Sequence, residues 1–185
     1  MEVSARHLHI SKADFAKLFG KGKKLTLMKP LVQNGHFSSW EWLTLKTAKA
    51  QIPHVRILGP LREKTQIEIS LTDAYNLGIE PLVRPSGNLD GTPGITLLSD
   101  KAKIKTRGGV ILSQRHIHTS SKDAKKYNLK DGQIVSVKTF GQRSLIFNNV
   151  IVRIKPDYIW RFHIDTDEAN AAGIKSGDEG ELILN

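Results

Sequence analysis

The sequence predicts a mostly β protein with two small β-barrels that are related by internal duplication and capped by short α-helices. Three observations support this class. Short stretches alternate apolar and polar residues, turn-forming residues separate these stretches, and an Arg-His-x-His motif occurs twice. The 185 residues suffice for one domain or two small ones, and 39% hydrophobic with 25% charged residues is ordinary for a soluble protein.

The predicted strands share a two-residue alternation of apolar and polar side chains. They include "TQIEISLT", "GQIVSVKTF", "NNVIVRIK" and "IWRFHID". Segments rich in Gly, Pro, Asn and Asp lie between the predicted strands, among them "PSGNLDGTPG", "TRGG", "KDGQ" and "KSGDEG". Many short strands joined in this way indicate compact barrels rather than a doubly wound sheet.

Short helices are predicted after each of the two His pairs. Ser11 can N-cap a helix over "KADFAKLFG", and Ser120 or Ser121 can cap another over "KDAKKYN". Helical turns are also predicted in "TDAYNLGI" and "TDEANAAGI", where small residues and Gly follow a Thr-Asp start. These short helices are the expected caps of the barrels.

The duplication is visible when the sequence is aligned with itself without gaps. A shift of 95 positions places Glu68 on His163, each ahead of a matching small-residue turn. Each half therefore carries a His pair, a capped helix and, later, one residue able to bind a metal. A shift of 109 positions matches the surroundings of the His pairs, namely Ser4 with Ser113, Arg6 with Arg115, His7 with His116, His9 with His118, Ser11 with Ser120, Asp14 with Asp123 and Lys17 with Lys126.

The spacing of the His pairs predicts metal binding. Residues i and i+2 of a strand point to the same face, with Cα atoms about 6.5–7 Å apart, so two imidazoles can converge on one ion. The duplication nominates a third ligand in each half, and three ligands with an open position are typical of catalytic zinc. Two ions could hold an anionic substrate if the centres meet, although one mononuclear site with an idle pair is also compatible with the sequence. The nominated ligands are His7, His9 and Glu68 for one ion and His116, His118 and His163 for the other.

The amino-acid composition limits the kinds of reaction that the protein can catalyse and the kinds of partner that it can bind. The chain has no cysteine, which excludes disulfides, thiolate ligands and an acyl-cysteine intermediate. The net charge of +10 indicates either anionic partners or a solvated Lys-rich surface. Aromatic residues, at 6%, do not interleave with the basic ones, so a stacking platform for single-stranded nucleic acid is not indicated and nucleic acid is not the expected partner. No apolar run is long enough to span a bilayer and no signal pattern opens the chain, so we expect a cytoplasmic protein with no membrane partner.

Six motifs together carry a family resemblance: "SARHLHIS", "GPLREKTQIEIS", "RPSGNLDGTPGITL", "RHIH", "LIFNNVIVR" and "HIDTDEANAAGI". In this order and spacing, from Val3 to the C-terminus, the chain resembles the PduL-type phosphotransacylases, also called phosphate propanoyltransferases. The resemblance implies two β-barrels with the active site between them, two metal ions, usually zinc, and acyl exchange between coenzyme A and phosphate. We accordingly expect a first β-barrel over 6–113 and a second over 114–185 that the N-terminal strand 1–5 completes.

The resemblance also implies roles for individual residues. It supports the six nominated metal ligands and adds Arg62, in "GPLR", as the catalytic cation that binds phosphate. It places Ser4, Ser86 and Arg153 in the lining of the substrate pocket. The chain has "QNGHF" where relatives commonly have "QPGQF", so His36 could bind substrate, act as an extra ligand or lie at the rim.

The expected protein is a metal-dependent phosphotransacylase that converts acyl-CoA and phosphate into acyl phosphate and coenzyme A. We expect a homodimer. The first motif begins at Ser4, so we expect no extension that targets some relatives to bacterial microcompartments. Two alternatives stay open at this point: a dinuclear metallohydrolase acting on a thioester or phosphate ester, and a basic nucleic-acid-binding barrel with incidental His pairs. The length of the acyl chain is also open.

Overall fold

The computed structural model describes residues 1–184, which form two compact units. The first unit is Arg6–Ser113, and the second unit combines Met1–Ala5 with the chain from Gln114 onward. Asn185, the last residue of the expected second domain, lies outside the described residues. Each unit has a curled β-sheet and a hydrophobic core of its own, so the predicted mostly β class with short helices is confirmed.

The strands of the described chain are β1 (Glu2–Ser4), β2 (His7–His9), β3 (Leu27–Pro30), β4 (Phe37–Lys46), β5 (Gln51–Gly59), β6 (Gln66–Glu68), β7 (Leu82–Arg84), β8 (Thr96–Leu98), β9 (Lys103–Lys105), β10 (Val110–Ser113), β11 (His116–Thr119), β12 (Ile134–Thr139), β13 (Ile146–Ile154), β14 (Arg161–Asp165) and β15 (Gly180–Leu184). The helices are α1 (Lys12–Phe19), α2 (Leu71–Leu77), α3 (Ser121–Lys126) and α4 (Thr166–Ala172).

The sheet of the first unit places β2, which carries His7 and His9, beside β6, which carries Glu68. Its strands follow the order β7-β10-β6-β2-β5-β4-β8-β9, with β3 paired to β4. Leu8 of β2 and Ile67 of β6 are register partners, and both are fully buried in the core. Because successive residues of a strand point to opposite faces, His7 and His9 lie on the face turned away from that core.

The second unit repeats this arrangement around another core. Its strands follow the order β1-β14-β11-β13-β12-β15. Ile117 of β11 faces Phe162 of β14, and both are buried, so the His residues on either side of Ile117 point away from the core. The N-terminal strand β1 runs parallel to β14 and places Val3 opposite Ile164, where Val3 packs against the same core.

The helices begin where local sequence signals predict. Ser11 accepts a hydrogen bond from the Asp14 backbone N–H at 3.1 Å, and Ser120 caps α3 in the same way at 3.0 Å. Helices α2 and α4 both start with a reciprocal capping box, and both end at a glycine in the left-handed conformation, Gly78 and Gly173. Among residues 1–184, the structure holds no helix with the length and hydropathy that crossing a membrane would require.

Leu8 supports the strand that carries the first His pair, and its truncation should be costly. Leu8 is fully buried, so Leu8→Ala should leave a cavity and lower the free energy of unfolding by about 2–5 kcal/mol. Leu27, which is 60% exposed, offers a matched control, and Leu27→Ala should change that energy by less than about 0.5 kcal/mol. Urea unfolding followed by circular dichroism measures both values. Equal effects of the two substitutions would contradict the central place of Leu8 in the core.

Candidate metal centres

The first centre is a group of three ligand-capable side chains, His7, His9 and Glu68, on adjacent antiparallel strands. His7 of β2 is the register partner of Glu68 of β6. Glu68 Oε1 lies 3.6 Å from His7 Nε2 and 3.9 Å from His9 Nε2. A tetrahedral ion with bonds of about 2.0–2.2 Å requires ligand atoms about 3.3–3.6 Å apart. The observed separations fit that requirement with small side-chain adjustments.

The environment of His9 orients its ring for metal binding. His9 Nδ1 lies 3.3 Å from the Leu58 carbonyl oxygen, which can only accept, so Nδ1 carries the hydrogen and Nε2 keeps its lone pair. Burial, followed by electrostatic interaction with His7 and Arg62, lowers the pKa of His9 to about 3. His9 is therefore neutral near pH 7, which is the form that binds a metal.

A cation lies directly beside the first centre. The Arg62 Nη2 group donates to the lone pair of His9 Nε2 at 2.9 Å, and Nη1 donates to Ser86 Oγ at 3.4 Å. A metal ion bound to Nε2 would replace the first of these hydrogen bonds and leave the guanidinium beside the ion. The backbone of Arg62 is anchored to the segment that follows β2, since its N–H donates to the Ile10 carbonyl at 2.9 Å. The guanidinium therefore has a defined place, from which its two-pronged donor group can attract an anion at this centre.

Gln66 connects these groups and was not identified from the sequence. Its side chain is 2% exposed, and its Nε2 donates to Glu68 Oε1 at 2.6 Å and to Ser86 Oγ at 2.8 Å. Its Oε1 accepts from the Gly87 backbone N–H at 2.8 Å. The available signal was the two-residue period, which places Gln66 on the same strand face as Glu68.

The second centre is a group of three imidazoles, His116, His118 and His163, on strands β11 and β14. His116 is the register partner of His163. The ring centroids lie 4.6–4.8 Å apart, and one nitrogen of each ring lies within 4.8 Å of the others. His116 Nδ1 lies 2.8 Å from the Gln114 carbonyl oxygen, so this ring also presents Nε2 as its free lone pair.

An aromatic side chain packs against the second centre. The Tyr158 ring lies 4.1 Å from the His118 ring, measured between centroids, and limits the orientations that His118 can adopt. Tyr158 lies in the short turn between β13 and β14, and no motif in the sequence marks it as part of a site.

The structure brings some of the other predicted site residues toward these centres. Ser86 lies with Arg62 at the first centre, as described above. Arg153 on β13 is the register partner of His118 on β11. Ser4 lies at the end of β1 opposite Asp165 of β14. His36 lies in the turn before β4, where its N–H donates to the Gln33 carbonyl, and within residues 1–184 it belongs to neither group of three.

Fold and site together define a class: a mostly β protein in which each of two duplicated units presents three metal-competent side chains on paired strands. The family model described as phosphate propanoyltransferase matches residues 1–175 of the chain. The chain therefore belongs to the phosphate propanoyltransferase family.

Curated relatives agree with this assignment over nearly the whole chain. The chain is similar to a phosphate propanoyltransferase of Thermotoga maritima, with 48% identity over 95% of this chain and 84% of the relative. It is 49% identical to one of Salmonella typhimurium over 92% of this chain and 81% of the relative. The corresponding protein of Listeria monocytogenes is 46% identical over 99% of this chain and 86% of the relative.

Proposed function

We propose that the protein is a metal-dependent phosphate acyltransferase that exchanges a short acyl group between coenzyme A and inorganic phosphate. The observation that carries the proposal is the place of Arg62, whose guanidinium lies 2.9 Å from His9 Nε2 at a group of three ligand-capable atoms. A cation beside an open metal position suits the binding of phosphate. Membership of the phosphate propanoyltransferase family supports the same reaction.

The donor atoms of both centres fit zinc. They are imidazole nitrogens and one carboxylate oxygen, which zinc accepts, and the neutral His9 ring and the Nδ1–H donated by His116 favour coordination through Nε2. His7, His9 and Glu68 would hold one ion, and His116, His118 and His163 the other. When bound, the ions would act as Lewis acids toward the phosphate and the thioester carbonyl.

The side chains of the first unit would bind and orient the phosphate. Arg62 would hold two phosphate oxygens through its fork of N–H groups, and Ser86 would place a hydroxyl at the same point. A third phosphate oxygen would then attack the thioester carbonyl carbon, forming the C–O bond while the C–S bond breaks. The leaving group is the thiolate of coenzyme A. Because the chain has no cysteine, direct transfer between the two bound substrates is the simplest course.

The remaining proposed substrate-binding residues are Ser4, His36 and Arg153. Arg153 carries a positive charge that suits the phosphate groups of coenzyme A, as does the net charge of +10. The expected domains, 6–113 and 114–185 completed by 1–5, belong to this proposal. The cytoplasmic location and the homodimer stay predictions.

A thiol-release assay tests the reaction. Acetyl-CoA, propanoyl-CoA and a longer acyl-CoA are each incubated with the protein, with and without phosphate, and free thiol is measured alongside acyl phosphate. We expect thiol release only with phosphate and in equal amount to acyl phosphate, and the three rates give the acyl preference. The Leu27→Ala variant is the control, because Leu27 is exposed and belongs to neither group of three. Thiol release without phosphate would contradict the proposal and favour a hydrolase.

A further inference from the structure

The first unit contains an ion pair that joins the two ligand-bearing segments of its centre. Arg6 directly precedes His7, and Asp73 follows Glu68 by five positions. The Arg6 guanidinium contacts both oxygens of Asp73, with Nε at 2.8 Å from Oδ1 and 2.9 Å from Oδ2 and Nη2 at 2.7 Å from Oδ1. The Asp73 side chain is 2% exposed, so this charge is buried and depends on its partner.

The second unit contains an equivalent ion pair. Arg115 directly precedes His116, and Glu168 follows His163 by five positions. Arg115 Nε donates to Glu168 Oε1. The same shifts of 109 and 95 positions that superimpose the ligands also superimpose the arginines and their acidic partners. The pairing has therefore been kept in both units although the acid differs in length.

Each acid is itself held at a defined point of the backbone. Asp73 is the third residue of α2, where it forms a capping box with Ser70, and Glu168 occupies the same place in α4 with Asp165. Both helices start within three residues of the end of the strand that supplies the third ligand, β6 or β14. An arginine bound to that acid therefore links the start of the His strand to the end of the third-ligand strand.

We propose that Arg6–Asp73 and Arg115–Glu168 are positioning pairs, each of which aligns the third ligand with the His pair of its own centre. This inference rests on the proposed metal-dependent function. The ligands of one centre come from strands far apart in sequence, and their separation must be held to a few tenths of an ångström for tetrahedral binding. A charge-assisted contact at each pair, two-pronged for Arg6 with Asp73, supplies that alignment.

Metal affinity measured one centre at a time tests the proposal. His118→Ala leaves only the first centre, and His9→Ala leaves only the second. Arg6→Gln and Arg115→Gln are each introduced into both backgrounds, and the apo proteins are titrated with cobalt(II) against a competing chelator, with the visible absorption of bound cobalt as readout. We expect each Arg→Gln substitution to weaken cobalt binding at its own centre by about 10- to 100-fold. The matched control is the same Arg→Gln substitution in the background that keeps only the other centre, where cobalt binding should be unchanged.

Further variants separate positioning from general stability. Arg6→Lys and Arg115→Lys keep the charge but lose the planar guanidinium, so they should recover part of the affinity. If circular dichroism shows that a Gln variant does not fold, the corresponding Lys variant is titrated in its place. Unchanged affinity at the variant's own centre, or an equal loss at both centres, would overturn the positioning role. Failure of both parent backgrounds to bind cobalt would instead overturn the proposed metal-dependent function.

Discussion

Removal of metal with a chelator is expected to reduce phosphate-dependent thiol release to the uncatalysed background, and zinc or cobalt should restore it. Without an ion, each group of three lacks the Lewis acid that is proposed to bind the phosphate and polarise the thioester carbonyl. The measurement is the thiol-release assay on chelator-treated, dialysed protein before and after each metal is added. Elemental analysis of the active protein should find two zinc ions per chain.

Two controls make the metal experiment decisive. Magnesium should not restore activity, because it prefers an all-oxygen shell to imidazole ligands. Circular dichroism should show that the treated protein keeps its secondary structure, since each unit has a hydrophobic core without any metal. Full activity in a folded protein from which all metal has been removed would contradict the proposed centres.

Arg62→Ala is expected to lower kcat/KM for acyl transfer by about 10²- to 10³-fold while leaving the fold and the metal content unchanged. The guanidinium is proposed to hold phosphate oxygens as charge moves during transfer, and alanine offers no replacement for either N–H donor. Steady-state kinetics with varied phosphate measure the loss. Arg62→Lys should be intermediate, because it keeps the charge without the planar fork.

Arg107 provides the matched control for Arg62. It is an exposed arginine of the same unit, so Arg107→Ala should leave kcat/KM within about twofold of the original. Full activity of Arg62→Ala would exclude the phosphate-binding role. Loss of metal together with activity would show that Arg62 is needed to maintain the metal centre instead.

Much of the local structure could be predicted because its causes are local. Ser11 and Ser120 cap helices through hydrogen bonds to residues three positions away, and the two-residue strand period places His7 and His9 on one face. The comparison of the two halves added Glu68, because a duplicated unit reuses equivalent positions. These inferences need only neighbouring residues or an internal match.

The contacts around the centres could not be predicted in this way. Gln66 bonds to Ser86 across a loop, and the carbonyl of Leu58 orients His9 from a separate strand. Neither contact leaves a pattern in the sequence, because any polar residue on the correct strand face is compatible with the alternation. The surroundings of His36 could not be predicted either, because an unusual residue in a motif does not indicate which residues its turn contacts in the fold.

The amino-acid order alone was enough to predict the strand-rich class, the capped helices, the duplication and the six candidate ligands. Periodicity, capping signals and internal repetition are all properties of the residue order. Only the tertiary structure decided which side chains surround those ligands. Arg6 binds the buried Asp73 because β2 and β6 lie side by side, and that adjacency arises from packing residues such as Leu8 and Ile67 into one core. Contacts of this kind depend on long-range strand pairing, which no local pattern specifies.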